Sequence, residues 1–188
     1  ALPLIERNAP AMPHPNSPSW LVAWSLTLTA CAAFTDTRSG LIPNWLTLPS
    51  LCVAPLVHAW LDGVRGFGLS LGAAALCGGV PLLLFGLRAI GGGDVKLFAA
   101  LGGVLGIEQG LELQLLSYSL CTVYALCLLT YRGALFATLR RSLALVASPF
   151  LPSAGRPALP ATAMTQIRLG ASIFVACALL TARSVLGA

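Results

Sequence analysis

The sequence predicts an all-α, polytopic membrane protein of about six transmembrane helices. Three observations carry that prediction. Of 188 residues, 57% are hydrophobic and only 9% charged, with a mean hydropathy of +0.85; soluble globular chains carry roughly a quarter charged residues. The charges fall between long apolar runs and not along helix faces, so a soluble fold would lack the polar surface to cover itself. The runs are also separated by short segments containing Gly, Pro, Asp and Arg, which break helices and suit loops. The net charge of +5 does not point to nucleic acid, because Lys and Arg are spread over the short loops, as the positive-inside rule requires.

The elements follow in order. Residues 1–19 hold five prolines and no apolar periodicity, which predicts an irregular tail; it lacks the charged-then-apolar order of a cleavable signal peptide. A first span is expected at about 20–34, followed by the polar stretch 35–40. A second runs over 43–60, with Pro43 suited to a first helical turn, and 62–65 forms a turn. The third, 67–87, contains Pro81, which predicts a kink. Residues 88–93 make a glycine loop. The fourth span, from Asp94 or Val95 to Ile107, is short for a core of about 30 Å at about 1.5 Å per residue, so it should tilt or borrow from its flanks. Glu108 and Glu112 mark a polar turn before the fifth span, 113–131. The stretch 132–168, with Arg140, Arg141, Arg156 and several prolines, suggests an interfacial helix and a loop. The sixth span covers 169 to about 180. The chain thus divides into a tail, 1–19, and a membrane domain, 20–188.

Charge orients this map. With six spans, the side carrying Asp36 and Asp94 also holds Arg38, Arg88, Lys96, Arg132, Arg140, Arg141, Arg156 and Arg168, against Arg7, Arg65 and Arg183 on the other. The first side is therefore expected to be cytoplasmic. Glu6, Asp62, Glu108 and Glu112 fall outside, leaving Asp36 and Asp94 as the cytoplasmic carboxylates. Cys31, Cys52, Cys77, Cys121, Cys127 and Cys177 lie within apolar runs with no C-x-x-C pair, and read as packing residues. His14 and His58 are far from each other and from the aspartates, so no metal site and no cofactor is expected.

An ionisable residue at a bilayer edge is costly, and a pair of aspartates is the minimum equipment for acid/base hydrolysis. Two carboxylates a few Å apart cannot both ionise, so they share a proton: one takes a proton from water while the other gives one to the substrate. Gly91, Gly92 and Gly93 would let an extended substrate backbone approach, and would tolerate backbone angles that aim Asp94 inward. Helix-end dipoles favour an ionised Asp94, opening a helix, and a protonated Asp36, following one; Arg38 and Lys96 could reverse that order. The residues also admit a plainer use, with Asp36 solvated beside Arg38 and Asp94 an N-cap paired with Lys96. Lys96 suits snorkelling or a lipid headgroup.

Asp36-Thr37-Arg38 followed by Ile42-Pro43-Asn44, together with Gly91-Gly92-Gly93-Asp94-Val95-Lys96-Leu97, resembles the two motifs of the type IV prepilin peptidases. The likeness is greatest to the short, single-module members serving tight-adherence (Flp) pili, and it covers about residues 20–185. The resemblance implies Asp36 and Asp94 as the catalytic pair. It also implies Gly91, Gly92, Gly93, Arg38, Asn44 and Lys96 about the substrate, with Asn44 capping or orienting the turn near Asp36. The implied partners are the bilayer and prepilin or pseudopilin precursors, whose basic leader is cut at the cytoplasmic face of a bacterial inner membrane. Larger relatives carry two C-x-x-C pairs and a methyltransferase activity; those pairs do not occur here, so N-methylation is not implied. The family's late P-x-G-P or P-Y-G turn is replaced by 160–170, where Gly170 fits and Arg168 does not. Two rival readings stand beside this one. A presenilin-like or signal-peptide-peptidase enzyme shares the G-x-G-D element but places its first aspartate in a Tyr-Asp pair within a helix, unlike Phe34-Thr35-Asp36. A small transporter subunit would use the aspartates as a proton or cation relay.

Overall fold

The computed structural model describes residues 19–87, 90–131, 133 and 169–186. They form five α-helices: α1 (Ser19–Ser39), α2 (Asn44–Gly86), α3 (Gly92–Leu105), α4 (Ile107–Tyr131) and α5 (Leu169–Leu186). No strand occurs among the described residues. The expected tail before Ser19, Arg88, and the interfacial stretch 132–168 apart from Gly133 lie outside them. The chain divides into two compact units, one of 1–117 with 168–188 and one of 118–167. In the second, residues 118–131 continue α4, and Thr122 and Thr130 return their hydroxyls to the carbonyls of Tyr118 and Leu126, each at 2.7 Å.

In the first unit, α1 runs past the expected end of its span and closes only at Ser39. The hydroxyls of Thr35 and Thr37 bond back to the carbonyls of Ala32 and Phe34, at 3.0 and 2.9 Å, and that of Ser39 to Thr35 at 2.8 Å. Polar side chains that satisfy themselves on the helix backbone need no water to keep it going. Asp36 thus lies in the last turns of a helix and not in a loop beyond it. Gly40, at φ 68°, ends the helix, its N–H donating to the Asp36 carbonyl at 2.9 Å.

At 43 residues, α2 would extend about 65 Å if straight, twice a membrane core. It is not straight: Asp62 (φ −126°, ψ 16°) and Gly63 (φ 65°, ψ −152°) break it where the sequence predicts a turn. The angles at Gly63 belong to a region only glycine enters freely. The two arms fold back on each other, because Ile42, before the first arm, and Phe85, at the end of the second, both lie against the start of α3. Pro43 is the N-cap residue of α2 and not a member of its first turn, and the helix passes through Pro81 with helical backbone angles.

Between those arms sits α3, with Leu97, Phe98, Ala100, Leu101 and Val104 all buried. Close approach is made by small residues. A Cβ at Gly102 would lie 2.6 Å from Cys77 Cβ and 2.7 Å from the Ala73 carbonyl, and one at Gly78 would lie 2.9 Å from Ala99. Helices in lipid gain little from hiding apolar surface, so tight backbone approach of this kind is what binds them. The last carbonyls of α3 find side-chain partners on α2: Ser70 Oγ donates to Gly103 at 2.8 Å and His58 Nε2 to Val104 at 3.1 Å. His58 therefore has a structural use that the sequence did not disclose.

Gly106, at φ 86°, turns the chain into α4. Arg183 of α5 meets Glu112 of α4 at 2.6 Å, while Cys177 Sγ reaches Ser25 Oγ of α1 at 3.6 Å. Among the described residues two helices, α2 and α4, are long and apolar enough to cross a membrane; the apolar part of α5, Leu169–Ser184, is shorter. Trp45, Leu56, Trp60, Val64 and Leu83 of α2 stand exposed. A run of bare apolar side chains on this scale is a liability in water and a proper surface in lipid.

Candidate active site

Two chain segments build the site, each fixed by its own local geometry. Asp36 is buried, at 8% exposure, and its Oδ2 accepts the N–H of Gly170 in the first turn of α5 at 3.0 Å. Asp94 stands third in α3, where its Oδ2 turns back to accept the Gly91 N–H at 3.3 Å. This is the return half of a capping box, with glycine at the N-cap offering only backbone. Asp94 is therefore not the N-cap itself. The charge of Asp36 acts on Asp94, as one carboxylate does on a neighbour.

The glycine run does not need glycine for its backbone angles. Among the described residues the glycines at positive φ are Gly40, Gly63, Gly106 and Gly133, so Gly91, Gly92 and Gly93 adopt angles open to any residue. What requires glycine is proximity. A Cβ at Gly93 would meet Ile42 Cβ at 3.0 Å and its backbone N and O at 3.4 Å, and one at Gly92 would meet the Phe85 ring at 3.4 Å. Ile42, in the segment after Asp36, is thus pressed against the start of α3.

The remaining expected residues divide. Lys96 Nζ donates to Asn44 Oδ1 at 2.8 Å, tying the end of the first motif to the second. Asn44 is the first residue of α2, after the N-cap Pro43, and its amide oxygen takes this bond from the lysine. Arg38 is exposed, its guanidinium 4.6 Å above the Phe34 ring, on the surface of α1. Gly170 is the residue whose role sequence reasoning missed. It stood out only as a glycine in the right place, and nothing in its neighbourhood announces a partner 134 positions away. Among the described residues no group of three His, Cys, Asp or Glu could hold a metal ion.

A helical membrane unit whose two motif aspartates converge at one end is the arrangement found, and residues 21–126 match the model of the type IV leader peptidase family. The chain belongs to that family. It is also similar to the prepilin leader peptidase/N-methyltransferase of Neisseria gonorrhoeae, at 33% identity over 132 residues, covering 63% of this chain and 45% of that protein. The chain thus spans less than half the length of that relative. No solved structure matches it.

Proposed function

We propose that this chain is a membrane-embedded aspartyl endopeptidase that removes the short basic leader from type IV pilin-like precursors of the tight-adherence (Flp) kind. The observation that carries the reading is the packing of Ile42, six residues after Asp36, against Gly93, the residue before Asp94. One carboxylate takes a proton from water, whose oxygen adds to the scissile carbonyl carbon. The other donates its proton to the amide nitrogen as the C–N bond breaks. The two carboxylates suffice for this chemistry, and the membership of the type IV leader peptidase family supports it.

The substrate geometry follows from charge. A pilin-like precursor keeps its apolar helix in the bilayer and its positive leader in the cytoplasm, so the scissile bond lies at the boundary where both aspartates sit. Six spans, with the aspartate end cytoplasmic in a bacterial inner membrane, accord with the distribution of Lys and Arg. The leader would lie along Gly91, Gly92 and Gly93, past Asn44, Lys96 and Arg38.

Co-expression with candidate prepilins, read by gel shift, tests the proposal. Cleavage by the wild type and none by Asp36→Asn or Asp94→Asn is the expected result. Ion flux in proteoliposomes with no cleavage of any precursor would replace this reading with that of a transporter subunit.

A further inference from the structure

We infer that Gly170, through its backbone N–H, is a positioning residue for Asp36, so that the last helix is part of the machinery of hydrolysis and not only of the scaffold. The inference rests on the peptidase reading above. Asp36 Oδ2 accepts the Gly170 N–H at 3.0 Å in a buried contact, whereas the matching bond to Asp94 is exposed and longer, at 3.3 Å. A hydrogen bond in a desolvated place is stronger and more directional than one facing water. The amide occupies one oxygen of Asp36, fixes the rotation of the carboxyl group, and leaves Oδ1 as the oxygen directed at water.

Only glycine permits this approach. A Cβ at position 170 would stand 2.8 Å from Asp36 Oδ2, 2.9 Å from its Cβ and 3.2 Å from its Cγ. Turning the carboxyl group could relieve the first of these distances. It cannot relieve the second, because Asp36 Cβ is held by the α1 backbone. An added methyl must therefore push α5 off α1 and lengthen the amide bond to the carboxylate.

The test compares Gly170→Ala with Ala176→Val, a change at a buried position of the same helix, two turns from the contact. Both are measured in the full chain in detergent, with a synthetic precursor, for kcat, KM and thermal midpoint. Gly170→Ala is expected to lower kcat about a hundredfold with KM unchanged, as misplacement by about 1 Å does. Ala176→Val should lower the midpoint while folded enzyme keeps its kcat. Should Gly170→Ala fold poorly, the contact is read without activity: Asp36→Gly removes the Cβ, Cγ and Oδ2 that the methyl would meet, so Gly170→Ala should lower the midpoint less in that background than in the wild type. Normal kcat in folded Gly170→Ala, or an equal loss of midpoint in both backgrounds, overturns the inference. In that event, wild-type cleavage abolished by Asp36→Asn leaves the peptidase reading standing.

Discussion

At the scale of single residues, the two aspartates reach each other by opposite routes. Asp36 comes late in a helix and is met from outside by the amide of Gly170; Asp94 comes early in one and is met by its own N-cap. Members of a shared-proton pair act as one unit. Asp36→Asn and Asp94→Asn should each lower cleavage by roughly three orders of magnitude or more while the protein stays folded, and the double variant should be no worse than either. Measurable turnover by one single variant would reassign the pair. The glycine run makes a graded prediction. Its neighbours stand at 3.0 Å for Gly93, against the stem of Ile42, and at 3.4 Å for Gly92, against a Phe85 ring that can turn. Gly93→Ala should therefore impair cleavage strongly, Gly92→Ala less, and Gly91→Ala least. An equal effect at all three would show that the run is loop and not contact surface. Both aspartates and all three glycines were legible in the sequence; the reason for the glycines was not, because close approach depends on Ile42 and Phe85 arriving from elsewhere.

At the scale of elements, the punctuation of the helices was legible and their embrace was not. The breaks at 40–43, 62–63, 90–91 and 106 fall at Gly, Pro and Asp, whose backbone preferences are local and therefore visible in one dimension. The lodging of α3 between the arms of α2 depends on Ala73, Cys77, Gly78, Ala99 and Gly102 facing one another, and small residues give no hydropathy signal that distinguishes a seam from a lipid face. The pair Gly102 and Gly79 separates the two uses. A methyl at Gly102 collides with Cys77 and Ala73, whereas one at Gly79 has nothing within 4 Å. Gly102→Ala should cost about 1–3 kcal/mol by overpacking, and Gly79→Ala should be neutral or stabilising through helix propensity. Thermal melts of the two variants in the same detergent check this. Equal midpoints would show that α3 is not wedged as described.

At the scale of the molecule, the first unit sorts its charges by end. Asp36, Asp94, Lys96 and Asn44 gather where α1 finishes and α3 and α5 begin, while Asp62 lies at the tip of α2 and Glu112 pairs with Arg183 at the other end of α5. The sequence assigns these acids to opposite faces on loop charge alone. The orientation of the unit is open to direct measurement. In a cysteine-free background, single cysteines at Ser39 and Val64 should label from opposite sides of inner-membrane vesicles, with position 39 reached from the cytoplasmic side. Labelling of both from one side would refute the six-span arrangement.

The bond between Gly170 and Asp36 also has a meaning in time. It spans 134 positions, and ribosomes add about 5–20 residues per second, so roughly 7 to 27 s pass between synthesis of the carboxylate and synthesis of its amide. Throughout that interval Asp36 is inserted without the donor that orients it. Under the peptidase reading and the positioning role proposed for Gly170, the chain would cut nothing until its last helix is made.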